Sequence, residues 1–207
     1  GHSSVIFRVK HANAAWFQGS FDLIEGSLTL DPATTNSFTG ATTINSDATL
    51  TAQGDNALAG TSGITVNSGG TWRMPNFSYA SVGQLADHAQ RRVLNGGTIE
   101  VTGSTHSSGQ NFTTAAAGGT FRYTPSGQTL TLSGNANSDL LLNGPLTIYA
   151  GGHITISESI TGSGSLTKTG SANLVLQGNN TFTGPVTLSA GNLIFDGLNT
   201  ENGVPEL

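Results

Sequence analysis

The stretch NSFTGATTI begins at Asn36, and NTFTGPVTL begins at Asn180, 144 positions later. Both obey N-[ST]-F-T-G-x-[TV]-T-[IL], an agreement in order and spacing too close to come from shared composition. Between and around them run short segments in which apolar residues alternate with threonine. SLTL (27–30), ATLTA (48–52), GTWR (70–73), GTIEV (97–101), GTFRYT (119–124), PLTIYA (145–150), HITIS (153–157) and NLVL (173–176) are examples. Such alternation marks strands with one buried face. Gly-Gly pairs at 69–70, 96–97, 118–119 and 151–152 stand directly before strands.

Recurrence at intervals of roughly 20 to 30 residues is the signature of a solenoid. The chain therefore reads as all-β, a parallel β-helix in which short strands pair with the coils above and below. One coil cannot bury its Leu, Ile and Val alone, but a stack makes a continuous apolar column. The two echoes become equivalent coils, separated by about six or seven turns, with Phe38 and Phe182 placed alike. A β-sandwich or barrel is the competing architecture, since it too is built from many short strands.

Composition supports strands and turns over helices. Gly is 29 of 207 residues and charged residues are 9%, against roughly 25% in an average soluble domain. The net charge of −5 and the absence of any basic run argue against nucleic acid, whose phosphates need Lys and Arg. No segment approaches the roughly 18 apolar residues of a membrane span. VIFRV is too short for a signal-peptide core, and ANAA at Ala12–Ala15 only superficially resembles a cleavage site. Without cysteine, disulfides, thiolate catalysis and Cys-based zinc sites are excluded.

Two segments interrupt the pattern. Residues 1–24 carry Phe7, Trp16, Phe17 and Phe21 without a repeat and are expected to cap the open N-terminal end, leaving 25–207 as the solenoid. Within it, residues 75–96 predict one short lateral helix. Ser81-x-x-Gln84 makes a capping box, Val82, Leu85, Ala86, Ala89 and Val93 lie at helical spacing, and Asn95-Gly96 would terminate the helix. Leu85 and Val93 are then expected to be buried, with Arg91 outward and Arg92 near the C-terminal end.

At Gly162 through Leu193 the sequence resembles an autotransporter-associated β-strand repeat, also called the passenger-associated transport repeat. That pattern runs G-x-G-x-L-x-K-x-G, a strand such as L-x-L-x-G, N-T-[YF]-T-G, a T-x-[IL] strand and A-G-x-L. Gly162, Gly164, Leu166, Lys168, Gly170, Leu174, Leu176, Gly178, Asn180, Thr181, Phe182, Thr183, Gly184, Leu188, Ala190, Gly191 and Leu193 match it in order. The front copy, from about Gly26 to Ala52, keeps Asn36, Phe38, Thr39 and Gly40 but lacks Lys-Thr-Gly. The resemblance implies a right-handed parallel β-helix, extracellular or at the bacterial cell surface. Such repeats belong to large secreted proteins, often autotransporter passengers, and bring no catalytic residues. No outer-membrane barrel is recognisable in the chain, which suits a segment of such a protein.

The residues offer little chemistry of their own. SLTKTG at 165–170 contains both S-x-x-K and K-T-G, but in Ser-Lys enzymes those motifs come from separate elements with different lysines. Here Lys168 alone would have to serve both, and the repeat accounts for the hexapeptide. His2, His11, His88, His106 and His153 show no i, i+4 or H-x-H pairing and so no metal-ligand pattern. Asp22, Asp31, Asp47, Asp55, Glu100, Asp139, Glu158 and Asp196 never stand as adjacent pairs and read as solvated turn carboxylates. Ranks of T-x-T raise an ice-binding face, against which the irregular repeat lengths argue. No catalytic, cofactor-binding or metal-binding residue is assigned.

The expected function is a non-enzymatic structural or adhesive module. The alternatives are a self-assembling filament or surface-layer subunit and, further behind, a polysaccharide-active β-helix enzyme. The expected partners are a second copy docking head to tail, through Trp16 and Phe17 onto 192–195, or a glycan or protein of a host or cell surface.

Overall fold

A computed structural model describes residues 21–23, 26–30, 40–53, 58, 61–75, 92–103, 106–108, 112–133 and 139–196. They wind through three sheets in which all paired strands run parallel. The seven-stranded sheet takes β1 (Phe21–Leu23), β3 (Thr42–Ile44), β5 (Ile64–Asn67), β7 (Arg92–Asn95), β10 (Thr113–Thr114), β13 (Leu140–Leu142) and β16 (Ile160–Gly162). The eight-stranded sheet takes β2 (Gly26–Leu30), β4 (Ala48–Ala52), β6 (Thr71–Met74), β8 (Thr98–Val101), β11 (Gly119–Tyr123), β14 (Leu146–Ala150), β17 (Leu166–Thr169) and β19 (Val186–Leu188). The five-stranded sheet takes β9 (His106–Ser108), β12 (Thr129–Leu132), β15 (His153–Ile156), β18 (Asn173–Leu176) and β20 (Asn192–Phe195). This is the parallel β-solenoid that the repeat spacing predicts.

Because every pairing is parallel and in register, one residue per coil stacks on its counterpart. In the eight-stranded sheet the central inward column runs Leu28, Leu50, Trp72, Ile99, Phe121, Ile148, Lys168 and Leu188. In the seven-stranded sheet Thr42, Ile64, Arg92, Phe112, Leu140 and Ile160 succeed one another. Asn180 continues that column, donating no strand bond but accepting the Ile160 N–H on Oδ1 at 3.0 Å. The Phe112 and Phe121 rings stack across the interior, 5.2 Å between centroids.

The corner between the seven- and eight-stranded sheets shows why Gly-Gly pairs precede strands. Asp47, Gly69, Gly96 and Gly118 occupy it in successive coils, with φ of 62°, 78°, 91° and 71°. Glycine takes that left-handed conformation without strain, and aspartate is among the few side chains that tolerate it. Just before the corner an asparagine ladder climbs the stack. Asn67 Nδ2 donates to Asn45 Oδ1 and Asn95 Nδ2 to Asn67 Oδ1, both at 2.8 Å.

Three expectations need correction. No helix occurs among the described residues, and the end of the predicted helix is strand β7, with Arg92 fully buried and Val93 half-buried on the outer face. Leu85 and Arg91 lie outside the described residues. Residues 1–20 of the expected cap also lie outside them, but Phe21–Leu23 pairs with Thr42–Ile44 as part of the stack. The two echoes are not equivalent. Thr42–Ile44 runs in the seven-stranded sheet and its counterpart Val186–Leu188 in the eight-stranded one. Ala48–Ala52 and Asn192–Phe195 are displaced by one sheet in the same direction. Asn36 and Phe38 fall outside the described residues, whereas Asn180 and Phe182 are buried.

The shift arises because coils differ in length. Leu140 faces Ile160, a step of 20, but Ile64 faces Arg92 and Thr113 faces Leu141, steps of 28. The repeat motif therefore comes round at a different face after 144 residues. Unequal lengths nonetheless leave the ranks intact, since the extra residues fall between strands.

Candidate binding face

The outward side of the eight-stranded sheet carries two parallel ranks. One is entirely hydroxylic: Ser27, Thr49, Thr71, Thr98, Thr120, Thr147, Thr167 and Thr187. The irregular repeat lengths thus do not break a threonine rank, contrary to the argument used against an ice-binding face. The second rank, two residues along each strand, does break that pattern. It reads Thr29, Thr51, Arg73, Glu100, Arg122, Tyr149 and Thr169, with charge at its centre.

That centre is organised by one carboxylate. Arg73 Nε donates to Glu100 Oε2 at 2.6 Å, and Arg122 Nε stands 3.5 Å from Glu100 Oε1. The two guanidinium side chains are each 47% exposed and the carboxylate 13%. On the far side Arg122 lies over the Tyr149 ring, 4.7 Å from its centroid, a stacking that restrains a flexible cation. Contrary to the expectation of a solvated turn carboxylate, Glu100 is a strand residue between two cations. Its signal was legible: aligning GTWR, GTIE and GTFR on Gly-Thr brings Arg73, Glu100 and Arg122 into one rank.

Lys168 has the opposite environment. It is fully buried in the inward column, and its Nζ donates to the carbonyls of Thr169 at 2.7 Å, Gly170 at 2.8 Å and Ala190 at 3.1 Å. Burial pushes its amine below the ordinary lysine range. One interaction therefore explains four repeat-motif residues. Lys168 and Gly170 share a corner, Ala190 supplies the carbonyl from the next coil, and a Cβ on Gly191 would stand 3.0 Å from Nζ. The S-x-x-K match is structural, because the ammonium is committed to carbonyl oxygens. Lys168→Met should cost about 1–3 kcal/mol, with Asn192–Phe195 amides exchanging faster; unchanged exchange there would refute the clamp.

Two carboxylates that are far apart in sequence meet at the corner leading into the seven-stranded sheet. Leu140 pairs with Ile160, which brings Asp139 beside the Ser157–Ser159 turn. Glu158 is pushed up to about 8, chiefly by burial and then by the Asp139 charge. Between 4.5 and 8 the folded protein holds this proton while the unfolded chain has lost it, so stability falls as pH rises through that window. Glu158→Gln should remove the fall, melting above the parent at pH 8.5 by about 2 kcal/mol after allowance for solvent screening. Thermal melts from pH 4 to 9 check this; parallel curves for the two proteins would exclude it.

The remaining sequence candidates are scattered. His153 is exposed, and its Nδ1 accepts the Asn173 N–H at 3.4 Å. Asp196 accepts from Gln177 Nε2 at 3.2 Å, and Asp47 sits at a left-handed corner. His106 and Asp22 lie on strands β9 and β1. His2, His11, His88, Asp31 and Asp55 lie outside the described residues.

The passenger-associated-transport-repeat family model matches residues 25–52 and 166–195. The adhesin BmaC autotransporter of Brucella suis biovar 1 (strain 1330) is 32% identical over 132 residues, 62% of this chain. The chain spans only 3% of that relative's length. No solved structure matches the chain. Both repeat matches fall on the stretches that echo each other, one at each end of the stack: the chain carries two copies of the passenger-associated transport repeat.

Proposed function

We propose that this chain is a non-enzymatic, extracellular module of a secreted bacterial surface protein, a length of β-helix that presents an adhesive face. The observation that carries this reading is the outward side of the eight-stranded sheet, whose two ranks are held in register over the stack while the motif residues serve its interior. Similarity to an autotransporter adhesin supports a place at the cell surface. The winding is right-handed, as parallel crossovers almost always are. Displaying the chain on a non-adherent bacterium tests the proposal. Cells carrying it should attach to host cells or matrix above the level of cells displaying an unrelated solenoid. Equal attachment would leave only a stalk.

A further inference from the structure

We infer that the ranks spanning β6, β8, β11 and β14 form a binding site for an acidic glycan, a saccharide chain bearing carboxylate or sulfate groups. The inference rests on the adhesive reading and assigns its site. Arg73 and Arg122 are the exposed basic side chains among the described residues, the other two cations there, Arg92 and Lys168, being buried. In a chain of net charge −5, the two accessible arginines among the described residues thus share one face. Each arginine meets Glu100 through Nε alone, so the terminal nitrogens remain available as donors. Sharing one carboxylate leaves the trio with a net positive charge.

Geometry favours a glycan over an acidic protein or a membrane. Arg73 and Arg122 stand two strands apart, about 9–10 Å along the solenoid, comparable to a disaccharide repeat in an extended chain. About 7 Å to the side runs the rank Thr71, Thr98, Thr120 and Thr147, whose half-exposed hydroxyls can donate to and accept from sugar hydroxyls. A saccharide laid along the axis would meet cations on one flank and hydroxyls on the other. A protein partner would want an apolar centre, which these ranks lack. Tyr149 holds the Arg122 guanidinium flat before binding, so less freedom is lost on contact.

The test uses the full chain and immobilised heparin (sulfated), with hyaluronan (carboxylate only) as a second probe. Binding should weaken steeply with salt, and R73Q/R122Q should lose at least tenfold in affinity with an unchanged melting temperature. Tyr149→Phe keeps the ring and should bind like the parent, whereas Tyr149→Ala should lose a few-fold. Heparin binding alone identifies sulfate as the recognised group; hyaluronan binding extends it to carboxylate. Binding to neither probe, or undiminished binding by R73Q/R122Q, overturns the inference. If displayed cells then still attach, the adhesive reading survives without this site; if they do not, both fall.

Discussion

Gly164→Ala should cost about 3 kcal/mol or more of folding stability, toward the upper end of what overpacking does. Gly144, Gly164 and Gly184 stand on successive coils, each 20 residues on. A Cβ on Gly164 would lie well inside contact distance of the Gly144 carbonyl, and one on Gly184 would meet the Gly164 carbonyl in the same way. Neither residue has a positive φ, so alanine could adopt the backbone. The obstacle is the coil beneath, and relieving it means separating two coils that share strand pairings. Gly127→Ala supplies the contrast. Gly127 has φ of 68° but nothing within 4 Å of a Cβ, so the cost there is conformational, about 1–2 kcal/mol. Chemical denaturation of both variants decides the matter. If Gly164→Ala is no worse than Gly127→Ala, the coils are not packed as closely as described.

That contrast also marks what could be read from the chain. Strands of the eight- and five-stranded sheets, β9 (HSS) excepted, are legible because apolar residues fill their inward positions, as in ATLTA, GTFRY, PLTIYA and HITI. The seven-stranded sheet was harder. Its inward places are taken by Arg92 and Thr114 and its last strand ends on Gly162, so β7, β10 and β16 lose the apolar alternation that identifies a strand. Thr114 is tolerated inside because its hydroxyl donates to the Gly144 carbonyl at 2.9 Å and accepts the Gly144 N–H at 3.0 Å. Arg91-Arg92 after an apolar spacing looked like a helix end for the same reason. A buried arginine is the least expected occupant of a core column, and it concealed a strand.

The binding face was half legible. Threonine in every strand was plain, but which threonines share a face depends on register, and register depends on how inserted residues are distributed among corners. Steps of 20, 22 and 28 residues cannot be summed from one pair of echoes. Hence like motifs do not imply equivalent coils, and the two copies occupy different sheets. Asp139 and Glu158, separated by 19 residues, were likewise invisible as neighbours until the Leu140–Ile160 pairing was known.

Trp72→Ala should be the most damaging core truncation, costing about 3–5 kcal/mol, and its damage should be local. Trp72 is fully buried and heads the largest enclosed side chains, stacked between Leu50 and Ile99 on neighbouring coils. Alanine there leaves a void between two rows whose backbone pairings hold them apart, so collapse is limited. In a solenoid each coil contacts only its neighbours, and stability is close to a sum of coil and interface terms. The loss should therefore fall on β4, β6 and β8 and on the coils N-terminal to them. Coils around β15, β17 and β18, held by the Lys168 clamp and the Leu174–Leu176 column, should keep their strength. Hydrogen exchange reads this directly: amides of Thr49–Ala52 and Thr71–Met74 should exchange much faster, with Ile154–Ile156 and Leu174–Leu176 unchanged. Uniform acceleration along the chain would mean that the stack opens as one cooperative unit, and the coil-by-coil account of its stability would be wrong.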